Sequence, residues 1–371
     1  MFEISNVYFI MPMPGSQEIN SIGLAYFLYN WRWCFRIIFV ALILFGLKSN
    51  FVGTKFTSKI LAVFALVLVS GIFYATNFIM AADSMFLQVK NLSLKPREES
   101  KVELSRLVLG IENKGIAKAY PIQYLGYHHQ VFDTIASKPV MVTYCTVCRT
   151  GRVFEPIVKG KVEKFRLVGM DHFNAMFEDV TTKSWWRQVS GEAIAGKLKG
   201  ETLPEYKSVQ MELRQWLLLY PNSLVMQGDE LFEAEYKGTN NYENGNKTGK
   251  LTRRDTSSWN EKSWVIGIVL GKESKAYDWI SLEKEKIIHD VLNKEPIVLV
   301  LSKDNKSFIA FKRNTPEQKF TLVNDTLFDQ SNSYNFIGKN LDSKGSDLIK
   351  IDSYQEYWHS WQNFHPETKK F

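Results

Sequence analysis

Part of this chain is written twice. The stretch VLGIENKGIAKAYPIQYL (108–125) aligns without gaps on VIGIVLGKESKAYDWISL (265–282). At the same offset Asp133 meets Asp290, Pro139 meets Pro296, and KPVMVTYCTVCRTGRVF (138–154) lies on EPIVLVLSKDNKSFIAF (295–311). The two segments also close alike: QWLLLYPNS (215–223) matches SWQNFHPET (360–368), with Trp216 on Trp361 and Pro221 on Pro366. Shared Gly, Tyr, Pro and Trp at a held register argue for two diverged copies of one unit. Whatever fold one copy adopts, the other must adopt with different side chains.

The copies predict a mainly β fold with short helices (α+β). PVMVTY and PIVLVL are β-rich runs of strand length, and SFIAFKR is a further strand. SKDNK, between the last two, is a turn by composition. By register, CTVCRTG in the first copy should therefore be the tip of a β-hairpin. KVEKFRLVG (161–169) alternates as another strand, while MELRQWLLLY (211–220) and YQEYWHSWQNF (354–364) read as short closing helices. The expected organisation is an N-terminal tail (1–31), two transmembrane helices (32–84), a first unit (90–228), a polar linker (229–262) and a second, degenerate unit (263–369). The linker is marked by the Asn- and Gly-rich stretch KGTNNYENGNKTGK (237–250).

The membrane expectation rests on two apolar runs, IIFVALILFGL (37–47) and ILAVFALVLVSGIFYATNFIMA (60–81). The second is long enough to cross a ~30 Å hydrocarbon core as a helix. The first reaches that length only with its flanks, where Arg32 and Arg36 can snorkel and Trp31 and Trp33 suit a headgroup belt. A cleaved signal peptide would have one such run. Lys48, Lys55 and Lys59 between the runs favour a cytoplasmic loop. That predicts a multi-pass protein of the inner (cytoplasmic) membrane with its main body extracytoplasmic. Over 371 residues a formal charge of +7 is modest, and no nucleic-acid motif accompanies it, so nucleic acid is not an expected partner.

Only three cysteines occur, and two of them form TYCTVCRTG (143–151). Cys34 falls in the first apolar segment and reads as a small apolar residue there. Cys145 aligns with Ser302 and Cys148 with Asn305, so the shared fold does not need the thiols. The first copy is then the functional one. A Cys-x-x-Cys pair on a hairpin tip is a common form of metal knuckle. Zinc wants four ligands, and no second pair exists. The candidates to complete a site are His128, His129, His172, Met170 and Met176. Thiolate with thioether is soft and suits Cu(I), so copper is placed ahead of zinc as the cofactor. His128 and His129, read as neighbours on a strand, should point to opposite faces.

Two other readings stay open. One is a thiol–disulfide oxidoreductase, with Arg149 stabilising a thiolate. The other is a non-enzymatic ligand- or partner-binding module with structural cysteines. Ser184, Trp185 and Trp186 read as core or pocket lining, and Glu178 with Asp179 as a surface pair ahead of a general base. No phosphate loop and no haem signature is present.

YCTVC, NAMFEDVTTKSWWRQ (174–188), GEAIAG (191–196), WLLLYPNS (216–223) and RRDTSSWNEKSWVIGI (253–268) together resemble a bacterial family, Domain of Unknown Function 3179. The resemblance covers most of residues 105–368. It departs from the family pattern at His129, where the family carries an acidic residue after the histidine, and at Phe177, Glu178 and Asp179, where Tyr-Asp is usual. It implies a fold family and no reaction.

Overall fold

The computed structural model describes residues 1–53, 55–342 and 345–371. Thr54, in the Lys-bearing connection between the apolar runs, lies outside them. The chain is mostly β, with several small sheets and short helices. It forms two compact units, one of Met1–Leu87 with Glu163–Thr202 and one of Gln88–Val162 with Leu203–Phe371. Residues 163–202, expected inside the first copy, therefore belong with the N-terminal segment.

In the larger unit, strand Leu107–Asn113 turns back on Ile116–Pro121 through Lys114 and Gly115, both at positive φ (51° and 81°). This is the two-residue hairpin turn whose twist suits the strands. Val209–Glu212 adds to one edge antiparallel, and Leu224–Met226 to the other in parallel. Helix Ile122–His128 follows the hairpin, then the meander Gln130–Ile135, Lys138–Cys145 and Thr150–Phe154.

The rest of the unit runs in the same order. Trp264–Leu270 pairs with Glu273–Asp278, Ser353–Tyr357 flanks one edge antiparallel, and Lys369–Lys370 flanks the other in parallel. Helix Trp279–Glu285 leads into the meander Ile287–Leu292, Glu295–Leu301 and Phe308–Lys312.

Equivalent contacts hold these sheets. Lys118 Nζ and Tyr120 Oη reach Asp133 at 2.8 and 2.7 Å; Lys275 Nζ and Tyr277 Oη reach Asp290 at 2.6 and 2.8 Å. Trp216, on helix Leu213–Leu219, donates to Ser223 Oγ at 2.7 Å, and Trp361, on helix Trp358–Phe364, to Thr368 Oγ1 at 2.8 Å. Each indole is buried flat against a glycine. A Cβ on Gly110 would stand 2.4 Å from the Trp216 ring, and one on Gly267 2.1 Å from the Trp361 ring. No other residue fits beneath either indole without displacing it.

His128 and His129 are not on a strand. Pro121 caps the helix Ile122–His128, and His129 ends it in the left-handed region (φ 59°).

In the smaller unit Phe56–Ile79 is one helix of 24 residues with mean hydropathy 2.1 and its apolar window unburied, long and apolar enough to cross a membrane. Arg32–Lys48 meets Ile22–Asn30 at 61°, and that bent pair passes the same test only when taken together. The four-stranded sheet Phe165–Asp171, Asn174–Asp179, Trp185–Arg187, Ala193–Ala195 completes the unit. Met170 N donates to Ile10 O at 2.7 Å, and Tyr26 stands edge-on to Trp185 at 5.1 Å. Glu178 and Asp179 are buried here, not a surface pair. Trp185 Nε1 donates to Glu178 at 3.1 Å and Trp186 Nε1 to Asp179 at 2.9 Å. These indole donors, with Arg166 at 2.9 Å from Glu178, are what let carboxylates enter the interior.

Candidate functional site

Strand Lys138–Cys145 is buried from Val140 onward. It ends where Cys145 pairs with Thr150, so residues 146–149 form the tip of the hairpin, as the register predicts. Arg149 takes a positive φ (58°) to turn the chain. The tip is not exposed. Cys145 and Cys148 are 1% and 0% accessible, and both are free thiols. The Cys148 thiol is hydrogen-bonded to Cys145 and to Ser360.

Four residues from beyond the hairpin surround the pair. Tyr357 N donates to Cys148 O at 2.9 Å. Lys262 Nζ donates to Val147 O, between the cysteines, at 2.9 Å and lies 4.6 Å over the Tyr357 ring. Ser360 Oγ donates to Glu356 Oε2 at 2.7 Å. Glu356 Oε1 accepts from Arg152 at 2.8 Å and Thr150 Oγ1 at 3.1 Å.

The electrostatics follow from burial. It pushes the Cys148 thiol well up, helped by the neighbouring Cys145 and opposed by Ser360. It also pushes the Lys262 ammonium down to about 8, against the pull of Cys148 and Cys145. A thiolate and an ammonium in this pocket stabilise each other, because each relieves the other's desolvation.

Arg149, the cation expected to hold a thiolate, is turned elsewhere. It donates to Gln355 Oε1 at 3.0 Å, Tyr242 O at 3.2 Å and Glu243 O at 2.8 Å, with its plane 3.6 Å over Trp264. Lys262 takes that place.

The expected histidine ligands have other partners. His128 Nε2 is 2.6 Å from Tyr236 Oη, and His129 Nδ1 is 2.8 Å from Tyr144 O. Burial pushes His129 down to about 4. Met170, His172 and Met176 belong to the other unit, where His172 Nδ1 lies 2.7 Å from Asp171. Among the described residues, no group of three or more His, Cys, Asp or Glu side chains is arranged to hold a metal.

Sequence reasoning missed Lys262, Glu356 and Ser360. For Glu356 a signal existed: at the offset that aligns Trp216 with Trp361, Glu356 meets Met211 and Ser360 meets Gln215. Met211 pairs with Val108 and Glu356 with Val265, which are themselves aligned. So a buried carboxylate stands where the first half has a thioether, and it faces the thiols that the second half lacks. The opposite hairpin behaves as a plain polar turn. Ser307 Oγ accepts from Glu212 N at 2.9 Å, and Lys306 Nζ reaches Glu212 at 3.1 Å.

The family described as Protein of unknown function (DUF3179) matches residues 86–368, which takes in the hairpin, Lys262 and the closing helix. The chain belongs to this DUF3179 family. No curated protein and no solved structure matches it. The family match thus contains every residue of the dithiol pocket and leaves its chemistry to be read from the geometry.

Proposed function

We propose that this DUF3179 protein is a membrane-anchored, extracytoplasmic binder of Cu(I), with Cys145 and Cys148 as its two thiolate ligands. The observation that carries the reading is the buried, unbridged, mutually hydrogen-bonded thiol pair with a single ammonium beside it. Charge favours a monovalent ion. Two thiolates and Lys262 leave one negative charge in a low-dielectric pocket, and Cu(I) brings it to zero. Zinc would leave a positive pocket and two empty coordination positions.

A thiol–disulfide oxidoreductase is the weaker reading, because exchange needs a partner sulfur to reach a sulfur in line. Accessibilities of 1% and 0% oppose that approach. A structural staple is weaker too, since the equivalent turn at 302–305 holds together without thiols. The matching strand order, Lys–Asp–Tyr contacts and Trp-on-Gly packing support descent from one duplicated unit, of which the first kept the ligands.

Reduced wild-type protein is expected to bind about one Cu(I) per chain in competition with a Cu(I) chelator. Cys145→Ser is expected to bind none and to melt as a folded protein, as Ser302 suggests. Binding requires thiolates, so it weakens as pH falls. Equal copper in both proteins, or none in the reduced wild type, would sink the proposal. Wild-type protein that instead forms a disulfide and exchanges it with added thiols would move the choice to the redox reading.

In this reading two spans flank the Lys-bearing connection, Arg32–Gly53 as the first and Phe56–Ile79 as the second. Alkaline phosphatase fused at the C-terminus is expected to be active, and a fluorescent protein fused there to be dark. The reverse pattern would put the body in the cytoplasm.

A further inference from the structure

The smaller unit holds a cavity of about 300 Å³ that the dithiol does not explain. It opens where Arg32 begins one apolar helix and the π turn Ala75–Ile79 ends the other. Arg36 Nη2 donates to Asn77 Oδ1 at 2.6 Å, tying these two helix ends together. Val7, Ile10 and Phe73 give the cavity an apolar wall, and Tyr29 and Trp33 give it an aromatic one.

Three guanidiniums line it. Arg36 is matched by Glu3 at 2.8 Å, and Arg166 by Asp83 at 3.0 Å and Glu178 at 2.9 Å. Arg32 has no ion pair among the described residues; it donates to Tyr29 O and lies 3.8 Å over the Tyr29 ring. Asn6 also lines the cavity. It is 8% exposed, and neither its Nδ2 nor its Oδ1 has a hydrogen-bond partner. Native interiors rarely leave a buried amide unpaired at both atoms.

We propose that this cavity binds the headgroup of an anionic phospholipid that carries hydroxyl groups, as phosphatidylglycerol does. The charge missing opposite Arg32 is supplied by the phosphate. Asn6 needs one acceptor and one donor, which a phosphate oxygen and a headgroup hydroxyl provide together. The acyl chains leave along the unburied apolar helices, where Ile37, Phe45, Leu61 and Phe64 are 68%, 77%, 67% and 65% exposed. Basic, aromatic-rimmed pockets at helix ends sit at headgroup level. The inference rests on the membrane part of the reading above and not on the copper site.

The test uses the full chain. Carbonate washing of membranes comes first, then binding in mild detergent of short-chain phosphatidylglycerol, short-chain phosphatidylcholine and inorganic phosphate. Phosphatidylglycerol is expected to bind at least about tenfold tighter than the other two. Arg32→Gln and Asn6→Leu are each expected to lower its affinity about tenfold, while Arg32→Lys retains most of it. Retention in the membrane with equal binding of the two lipids, or variants that bind as wild type does, would overturn the lipid site alone. Inorganic phosphate binding as tightly as phosphatidylglycerol would replace the lipid by a free anion and overturn it as well. Equal losses in Arg32→Lys and Arg32→Gln, with lowered melts, would assign Arg32 to folding and also overturn it. Release of the chain by carbonate would instead overturn the membrane reading beneath it.

Discussion

Replacing Glu356 with glutamine is expected to lower the stability of the protein by about 3–5 kcal/mol, because it leaves a buried guanidinium without its carboxylate. Glu356 is 0% exposed and Arg152 is 3% exposed, with 2.8 Å between them. One carboxylate oxygen takes Arg152 and Thr150, and the other takes Ser360. A glutamine can turn its N–H toward the Ser360 hydroxyl, which is able to accept, and its carbonyl toward Arg152 and Thr150, but it brings no charge to match the buried guanidinium. Glu205 stands 3.7 Å from Arg152, beyond hydrogen-bond distance, and already accepts from Tyr354 Oη at 2.8 Å, so it does not replace Glu356. Urea denaturation measures the loss, and a value under ~1 kcal/mol would mean that Glu205 takes over after all. The paired change Arg152→Met with Glu356→Leu is expected to recover most of the stability, as apolar replacements of buried ion pairs do.

Lys262→Met is expected to make the metal-free protein about 3 kcal/mol more stable below pH 8 and no more stable above pH ~10.5. Burial holds the Lys262 ammonium down at about 8, while an ordinary lysine titrates near ~10.4. Between these values the unfolded chain keeps a proton that the folded chain has released. The penalty for burying the lysine is therefore full below the folded value. It shrinks as pH rises through the window and is gone above the unfolded value. Wild type and variant must be compared at each pH, because Cys148 and Tyr242 are raised by burial and contribute the opposite slope. A stability difference that stays constant from pH 7 to 11 would mean that Lys262 matters only through packing. The expected result bears on function: a buried ammonium that costs stability in the empty protein regains it when thiolates form beside it.

Local pattern carried much of this fold. The alternating and apolar runs at 138–145 and 295–301 are strands, the segments holding Trp216 and Trp361 are helices, and the cysteines are on a hairpin tip. Register between the halves did the rest, since it turned an ambiguous CTVCRTG into a turn. What failed depends on partners far along the chain. Glu178 and Asp179 look like surface residues until the indoles of Trp185 and Trp186 and the guanidinium of Arg166 are brought to them. Lys262 closes a segment that reads as polar linker, and its role exists only because Val147 lies against it. His128 and His129 were misread for a nearer reason. Pro121 starts a helix that the apolar spacing of IQYLGYH does not announce, and the strand begins only at Gln130.

The smaller unit is assembled from two pieces of sequence, Met1–Leu87 and Glu163–Thr202. A ribosome working at ~5–20 residues per second needs on the order of ten seconds to deliver the intervening chain. Through that interval Ile10 waits for the amide of Met170, and Tyr26 for the indole of Trp185. Meanwhile the first meander of the larger unit has already been made, whereas strand Trp264–Leu270 of the same unit waits roughly 80 residues for its edge partner Ser353–Tyr357. In both bodies, then, a segment made early waits for a partner made later: Met1–Leu87 for the sheet that begins at Phe165, and Trp264–Leu270 for Ser353–Tyr357.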